Sequence, residues 1–278
     1  NWLYYFRGEI FMNSLWLSNN KLINNNFIKE IDTSNTSNKT LLETDVCIVG
    51  AGIFGLTCAY YLSNLGYRVN VLEKDKIGEK TTGNTTAKIT SQHGLFYSYL
   101  ANSYSQKFAQ DYLEANEQAI KNIKNIIDKE KIKCDFEYKN SYVYTTKKED
   151  LKFIKKEQKA IENLGFNCEY VTKTGLPFEI EGAICFKNQA QFHPLKYLNG
   201  LCHCITKNNN EIYTNSTVFD VQKENDFYIT FSNNFNVKSK YVIVATHYPF
   251  INFPGFYFAK MYQSTSYLIA VDTKKNII

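Results

Sequence analysis

One short run near position 50 constrains this chain more than any other feature of its sequence. Residues 50–55 read GAGIFG, a G-x-G-x-x-G pattern that follows a short apolar segment, residues 45–49, and precedes an amphipathic one, residues 53–65. The apolar segment is typical of a strand buried in a parallel sheet, and Gly66 suits the left-handed position just past a helix end. Strand, glycine-rich turn and helix in this order predict a nucleotide-binding βαβ unit.

Each glycine of the run has its own physical task. Gly50 permits the tight turn, Gly52 lets a pyrophosphate approach the backbone, and Gly55 lets the helix pack against the strand. Ile53 and Phe54 lie at the predicted helix N-terminus, where free N–H groups and the helix dipole favour negative charge. We therefore predict that these five residues hold the phosphates of a dinucleotide.

An acidic residue follows at the required distance. A second predicted strand, residues 68–72, ends in Glu73, about twenty residues after the glycines. Its carboxylate can accept hydrogen bonds from the adenosine ribose hydroxyls, and its charge would repel a 2′-phosphate. FAD and NAD therefore fit better than NADP, and Lys74, the next residue, is included in the predicted cofactor site.

Composition limits the functions that this chain can have. With 278 residues and 44% hydrophobic content, it can bury a sizeable core and is long enough for two domains. Its net charge of +5 comes from Lys and Arg scattered among acidic residues, which argues against a nucleic-acid partner. No apolar run approaches the ~20 residues that span a bilayer, so no membrane segment is expected.

The cysteines favour a reduced environment. There are seven, an odd number without the spacing of a disulfide framework, and a cytoplasmic protein is therefore predicted. Cys202-His203-Cys204 suggests metal ligands at first sight. Residues two apart on a helix point to different sides, however, so both sulfurs could not easily reach one ion. We predict structural cysteines and no metal site.

After Glu73 the sequence departs from an NAD dehydrogenase, which would continue into further short βα units. A polar loop follows, and then TTGNTTAKITSQHGL over residues 81–95. Together with residues 43–78, with NQAQFHPLKYL and with YVIVATHYPF, this segment resembles FAD-dependent oxidoreductases of the D-amino-acid oxidase and glycine oxidase family. The sequence looks most like a bacterial subgroup in which this flavoprotein module precedes a Rieske iron-sulfur domain.

The resemblance implies an α/β fold, with a Rossmann-type FAD-binding domain and an inserted antiparallel-sheet (α+β) substrate domain. The glycine-rich C-terminal segment with which this family completes its flavin pocket is missing before Ile278, so we expect a C-terminally truncated chain. A Rieske domain, if present, would lie beyond that residue. The expected divisions are a lead-in or linker (1–43), a discontinuous FAD-binding domain (44–95 and 194–250) and an incomplete substrate domain (96–193 and 251–278).

The threonine-rich segment supplies further candidate cofactor contacts. Thr81, Thr82 and Thr86 offer hydroxyls to phosphates or to the ribityl chain, and capping of the next helix is a compatible alternative. The resemblance implies that Ala87 and Lys88 pass beside the isoalloxazine ring. Lys88 would there favour negative charge on the reduced flavin, or else it is a solvated surface residue.

The remaining candidates depend on the resemblance more than on local chemistry. His93 could face the flavin or substrate, although a lone histidine is more often structural. With Lys88 it is a weak catalytic candidate, and no acid–base pair is identifiable. The resemblance implies that Val218 meets the adenine through its backbone and that Ala245 and Thr246 belong to a second flavin motif. In that motif His247 replaces a glycine.

Periodicity and turn signals predict the other elements. The expected elements are one helix over 104–132, a strand over 136–145, a helix begun by a capping box at 146–149 and ended by Gly165, a helix begun by His193-Pro194, a strand pair over 211–221, a buried strand over 241–245, and strands within 257–271.

These observations lead to one expected function and two alternatives. The expected function is that of an FAD-dependent oxidoreductase acting on a small substrate, with hydride transfer from an amine or amino-acid C–N bond to flavin N5. The alternatives are a truncated nucleotide-binding fragment without catalysis and a flavoenzyme that acts on tRNA bases.

Overall fold

The computed structural model describes residues 14–18, 28–29, 40–264 and 266–268. Contacts group them into two compact units. The first contains the described residues up to Thr86 and those of Pro194–Leu268, and the second is Ala87–His193. The elements in chain order are α1 (Leu15–Ser18), β1 (Ile28–Lys29), β2 (Leu41–Val49), α2 (Ile53–Asn64), β3 (Val69–Leu72), β4 (Lys88–Ile89), α3 (Tyr97–Ser103), α4 (Gln106–Glu130), β5 (Glu137–Thr145), α5 (Leu151–Asn163), β6 (Glu169–Val171), β7 (Gly182–Gln191), α6 (Pro194–Lys207), β8 (Glu211–Tyr213), β9 (Val218–Glu224), β10 (Phe227–Ser232) and β11 (Asn236–Val244).

A seven-stranded sheet forms the first unit, in the order β1-β8-β3-β2-β11-β10-β9. From β1 to β11 each strand is parallel to its neighbour, whereas β10 and β9 run antiparallel at the far edge. Val49 at the end of β2 is level with Leu72 of β3 on one side and with Val244 of β11 on the other. The carboxyl ends of these three strands thus lie side by side, at the edge where open parallel sheets bind ligands.

The two central strands of this sheet are covered on both faces. All four residues of β3 and the last four of β2 are buried, as expected for strands inside a parallel α/β sheet. Helix α2 packs on β2 and β3, and α6 packs on β8 and on α2. An apolar cluster that includes Cys47, Leu72 and Phe235 adds a further part of the core.

The second unit contains a smaller antiparallel sheet. β7 is its central strand, with β5 along one edge and with β6 and β4 along the other edge, near the beginning and the end of β7. Helix α5 packs on β7 and β5, and α3 packs on both α4 and α5. The buried rings of Tyr97 and Phe186 stack with centroids 6.2 Å apart. The expected combination of a parallel α/β sheet with a second, antiparallel sheet is therefore confirmed.

Four of the predicted helices form, with differences in where they begin. The helix predicted over 104–132 is α4, preceded by α3 as a separate short helix. The two are divided because Ser105 has extended backbone angles and its Oγ accepts a hydrogen bond from the Phe108 amide at 3.0 Å, so a new helix begins there. Gly165 follows the end of α5 with a φ of +76°, and Pro194 begins α6, both as predicted.

The capping box predicted at residues 146–149 is wrong. The hydroxyl of Thr145, one residue earlier, accepts from the Lys147 amide at 3.0 Å, and a 3-10 turn at Lys148–Asp150 then leads into α5. The Thr145 hydroxyl thus closes a turn at the end of β5, and neither the 3-10 turn nor α5 has a side-chain cap at its N-terminus.

Three strand predictions also need correction. The segment over 211–221 is not a strand pair, because β8 pairs with β3 and β1 while β9 pairs with β10. The strand expected over 241–245 belongs to β11, but Tyr241 is 60% exposed because α2 and α6 pack over β2, β3 and β8 instead. In the described part of 257–271 there is a 3-10 turn, Tyr257–Ala259, and no strand; the turn follows Phe256, whose φ of +49° is left-handed and not extended. Residues 265 and 269–271 lie outside the described residues.

The compact units and the predicted domains divide the chain at different residues. Residues 87–95 group with the second unit, since β4 pairs with β7, and the described residues after 250 group with the first. Of the predicted lead-in, residues 15–18 form α1 and residues 28–29 form an edge strand, while residues 1–13, 19–27 and 30–39 lie outside the described residues. The assignment of cofactor and substrate domains remains a prediction. Within the described ranges, no helix combines the length and apolar character that crossing a membrane requires.

Candidate cofactor site

The glycine turn leaves no room for side chains at two of its positions. Gly50 has a φ of +111°, and a Cβ there would lie 2.8 Å from the carbonyl oxygen of Ala245. A Cβ on Gly55 would lie 2.0 Å from the carbonyl oxygen of Gly50. Glycine at position 55 thus lets the first turn of α2 close against the glycine turn itself, while glycine at position 50 lets β11 approach.

The N-terminus of α2 presents unpaired backbone donors. Gly52 is the N-cap, with extended backbone angles and no side-chain cap. The Ile53 amide donates to Thr82 Oγ1 at 3.2 Å. Among the described residues, the amides of Gly52, Phe54 and Gly55 meet no hydrogen-bond acceptor. Free amides at the positive end of a helix dipole form a binding site for an anion.

Glu73 is anchored beside this turn by backbone amides. Its Oε2 accepts from the Ala51 amide at 2.8 Å, and its Oε1 accepts from the Asp75 amide at 3.1 Å. The Glu73 backbone is also fixed, because its carbonyl accepts from the Ser216 amide at 2.8 Å. A carboxylate can accept about four hydrogen bonds. The half-buried Glu73 side chain therefore retains capacity for ligand hydroxyls.

The threonine-rich segment reaches the turn through one residue. Thr82 begins a 3-10 turn, Thr82–Asn84, and its Oγ1 would lie 3.3 Å from a Cβ on Gly52. Thr81 and Thr86 are exposed. Lys74 is exposed as well, and its ammonium lies 3.9 Å from Asp75 Oδ2. Thr82 is thus the threonine that the structure brings to the glycine turn.

The end of β11 completes the surroundings of the turn. The Ala245 amide donates to the Val49 carbonyl at 2.8 Å, which places Ala245 beside Gly50. The Thr246 Oγ1 atom is buried, and it has no partner within the described part of the chain. An unsatisfied buried hydroxyl is costly, so this atom fits a site that receives a polar ligand group. His247, which follows, is exposed.

Val218 lies in the first unit, but the contacts described for it are with an apolar cluster and with β10, not with the glycine turn. It begins β9, is 8% exposed and packs in the cluster that contains Leu72 and Tyr213. Its backbone is paired in register with Ser232 of β10, at an irregularity of that ladder. Contact between the Val218 backbone and an adenine remains a prediction.

Three candidates belong to the second unit. Ala87 is buried with a φ of +59°, and Lys88 is exposed on β4. His93 is exposed, and its Nδ1 lies 2.9 Å from the Tyr112 hydroxyl oxygen. Desolvation lowers the pKa of His93 below its usual 6.5, and a hydrogen bond with the Thr90 backbone opposes that shift. A neutral imidazole is therefore favoured at pH 7.

Residues 81–86, called the threonine turn, receive two hydrogen bonds from residues of the predicted lead-in. Trp16 Nε1 donates to the Thr85 carbonyl at 2.8 Å, and Ser14 Oγ donates to the Gly83 carbonyl. Sequence reasoning missed both residues, since no motif or periodicity links them to positions about 70 residues away. Such a contact leaves no local signal in one sequence.

The cysteines lie apart from this site, and all seven are free thiols. Cys202 is buried while the adjacent His203 is exposed, so they point to different sides of α6. Burial raises the pKa of the Cys47 and Cys202 thiols to about 12, which keeps them protonated. Over the described ranges, no group of three or more His, Cys, Asp or Glu side chains is placed to hold a metal ion.

The donor set fits the adenosine diphosphate half of FAD. Free amides at the α2 N-terminus match a pyrophosphate, and the anchored Glu73 carboxylate matches ribose hydroxyls. The buried Thr246 hydroxyl, which has no partner among the described residues, is available to a polar group of the ligand. The close contacts at Gly50 and Gly55 also explain why a side chain is excluded on the protein side of the turn.

Comparison with known proteins agrees with this fit. The family model DAO, described as FAD dependent oxidoreductase, matches residues 45–277. The chain therefore belongs to the DAO family of FAD dependent oxidoreductases. The resemblance inferred from the sequence motifs is confirmed.

Two curated relatives illustrate the similarity. YhfW of Bacillus subtilis strain 168, whose name describes a Rieske 2Fe-2S iron-sulfur protein, is 35% identical over 232 residues, 84% of this chain and 46% of YhfW. The gamma-glutamylputrescine oxidoreductase of Escherichia coli K12 is 26% identical over 220 residues, 77% of this chain and 50% of that protein. The chain spans about half the length of these relatives.

Solved structures share the fold at low sequence identity. Glycine oxidase from Geobacillus kaustophilus is 16% identical with a TM-score of 0.58, covering 74% of this chain and 55% of its own. L-proline dehydrogenase from P. horikoshii is 19% identical with a TM-score of 0.59, covering 74% of this chain and 53% of its own. Identities this low establish the fold alone.

Proposed function

We propose that the protein binds FAD and oxidises a small amine or amino acid, with hydride passing from the carbon that bears nitrogen to flavin N5. The observation that carries the proposal is the Glu73 carboxylate, held by the Ala51 and Asp75 amides next to the free donors of α2. A DAO-family chain with this arrangement has the parts that an FAD adenosine diphosphate moiety needs.

Each group at the edge of the first sheet has a defined task in this proposal. The Gly52, Phe54 and Gly55 amides bind the pyrophosphate oxygens, and Glu73 accepts the ribose hydroxyls. The buried Thr246 Oγ1 and the Thr82 hydroxyl donate to polar atoms of the cofactor. Bound FAD would supply the hydride acceptor, while the protein supplies binding and orientation.

The substrate class is proposed from the names of similar proteins. Gamma-glutamylputrescine oxidoreductase, glycine oxidase and L-proline dehydrogenase are each named for an amine or an amino acid. Lys88 and His93 remain the candidate residues near the reaction. Neutral His93 can accept a hydrogen bond, and Lys88 carries a positive charge suited to an anionic group.

A partner domain is proposed from a relative's name, and a cellular location is proposed from the cysteines. The name of YhfW supports a Rieske iron-sulfur domain as a further part of the polypeptide and as a candidate electron acceptor. The seven free thiols, two of them with a pKa raised to about 12, are compatible with a cytoplasmic location.

The test is a substitution at Glu73 in protein reconstituted with FAD. Glu73→Gln keeps the size of the side chain but removes its charge, so it weakens the hydrogen bonds to Ala51 and to the ribose. We expect FAD affinity to fall about tenfold, which corresponds to about 1.4 kcal/mol, with little change in the unfolding temperature of the apoprotein. Quenching of flavin fluorescence during titration gives the affinity.

The matched control is Glu79→Gln, since Glu79 also accepts from a backbone amide, that of Lys76 at 3.3 Å. It should leave FAD affinity unchanged. Equal affinities for the parent protein and Glu73→Gln would show that this carboxylate does not contact the cofactor. A parent protein that stays colourless with FAD yet binds NAD tightly would overturn the proposal.

A further inference from the structure

Residues 14–17 lie against the threonine turn that contacts the glycine turn. We infer that this segment, called the N-terminal anchor below, holds the turn in the conformation that binds cofactor, an inference that rests on the proposed function. Ser14 Oγ donates to the Gly83 carbonyl, and Trp16 Nε1 donates to the Thr85 carbonyl at 2.8 Å. Neither residue is itself a cofactor ligand in this inference, so both are positioning residues.

The anchor also packs against the threonine turn, at Gly83. A Cβ on Gly83 would lie 2.3 Å from the Gly78 carbonyl oxygen and 3.3 Å from Leu17 Cγ and Cδ2. Gly83 is therefore packed between the backbone of Gly78 and the side chain of Leu17. The anchor carries its own local hydrogen bonds, from the Leu17 amide to the Ser14 carbonyl at 3.0 Å and from the Trp16 amide to Ser14 Oγ at 3.2 Å.

The anchored carbonyls flank the residues that matter for the cofactor. Asn84 Nδ2 donates to the Glu79 and Lys80 carbonyls, which ties the turn to the residues that precede it. The Gly83 and Thr85 carbonyls accept hydrogen bonds from the anchor. Both sets of bonds together fix the position of Thr82, whose Oγ1 accepts from the Ile53 amide at the first turn of α2. Without the anchor, the Thr82 hydroxyl would lose its fixed place beside Gly52.

The anchor adds a determinant of affinity that the glycine pattern does not contain. The G-x-G-x-x-G run, Glu73 and the threonine turn occur within residues 50–86, whereas the anchor comes from a segment before β2. The predicted consequence is a dependence of FAD binding on the Trp16 N–H, which bonds the Thr85 carbonyl three residues after Thr82. A loosened turn raises the entropy cost of binding, and affinity falls for that reason.

The decisive variant is Trp16→Phe in the full chain, because phenylalanine keeps an aromatic ring but has no N–H donor. We expect FAD to bind about fivefold more weakly, the effect of one hydrogen bond. Ser14→Ala removes the second donor and should have a similar effect. Asn208→Ala is the control, since Asn208 bonds Asn64 at 3.4 Å, at the opposite end of α2. It should bind FAD as the parent does.

Hydrogen exchange of the cofactor-free protein supplies a readout that does not depend on FAD. In Trp16→Phe the amides of residues 82–86 should exchange faster than in the parent, with the amides of β2 and β3 unchanged. A purely structural role for Trp16 would instead lower the unfolding temperature and accelerate exchange across the first unit, with FAD affinity preserved.

The outcomes separate this inference from the proposed function. A parent protein that binds no FAD overturns the proposed function and, with it, the role of the anchor in cofactor binding. A parent that binds FAD, with Trp16→Phe and Ser14→Ala both binding it equally well, overturns the anchor alone. Weaker binding in both variants, faster exchange limited to residues 82–86 and an unaffected Asn208→Ala support it.

Discussion

The two compact units differ in what determines their geometry. In the first, the decisive contacts of the glycine turn lie within one βαβ unit: a Gly55 Cβ would lie 2.0 Å from the Gly50 carbonyl oxygen, and the Ala51 amide donates to the Glu73 carboxylate, 22 residues away. In the second, they join side chains to distant backbone groups. The Glu157 carboxylate, fully buried, accepts from the Tyr97 amide at 2.6 Å and from the Ser98 amide at 2.9 Å.

This difference separates a turn specified by local chemistry from a unit specified by tertiary packing. A glycine or an acid at a fixed offset in a βαβ unit is required by local geometry, and it recurs as a motif. A carboxylate that caps α3 from a helix 59 residues further along the chain has no such offset. The second unit contains another long-range contact of this kind. The Ser91 amide donates to the Gln189 side chain, 98 residues away, at 2.7 Å.

The largest expected effect tests the backbone contact in the first unit. Gly55→Ala places a methyl carbon 2.0 Å from a backbone oxygen, which only movement of the helix or the turn can relieve. We expect a loss of about 3 kcal/mol or more in the free energy of unfolding, measured by urea titration. Gly175→Ala is the control, because a Cβ there meets nothing within 4 Å, and it should change stability by less than about 0.5 kcal/mol. Similar losses in both variants would contradict the predicted clash.

A smaller loss of stability is expected when the carboxylate that caps α3 in the second unit is removed. Glu157→Ala leaves the Tyr97 and Ser98 amides without their acceptor, at a cost of about 2–3 kcal/mol in the free energy of unfolding. Glu162→Ala on the same helix is matched to it, since the Glu162 carboxylate accepts from exposed Gln158. It should be nearly neutral. If the two variants unfold at the same urea concentration, the buried cap does not stabilise α3.

The local part of the fold could be predicted closely from the sequence. The predicted helix over 53–65 is Ile53–Asn64 in the structure, and Gly66 has the expected positive φ of +87°. Helix ends of this kind depend on the conformational freedom of one residue, so they are readable without knowledge of the rest of the fold. Sheet order was not readable, because β8 joins β3 only through a crossover of more than 130 residues.

The candidate site likewise contains residues that their sequence spacing predicts and residues that it does not. Gly50, Gly55 and Glu73 meet as their spacing predicts, because one turn and two adjacent strand ends bring them together. Trp16 could not be predicted, since its contact with Thr85 depends on how a segment before the first long strand returns to the site. The adenine contact of Val218 remains a prediction for a related reason, because it requires the position of the ligand.

The smallest expected effect is the pH dependence that His93 gives to the second unit. Desolvation lowers the pKa of its imidazole below 6.5, so the folded state binds a proton less readily than the unfolded state. Stability should therefore decrease as the pH falls through 6.5, where the unfolded chain gains its proton first. The neutral ring can accept the Tyr112 hydroxyl at Nδ1, whereas the charged ring would require Tyr112 to turn its lone pair inward. Comparing urea unfolding at pH 7.5 and 5.5, the parent should lose more stability than His93→Gln, and NMR titration should place the imidazole pKa below 6.5. An imidazole pKa of 6.5 or higher, or an equal loss in both proteins, would contradict the desolvation of this ring.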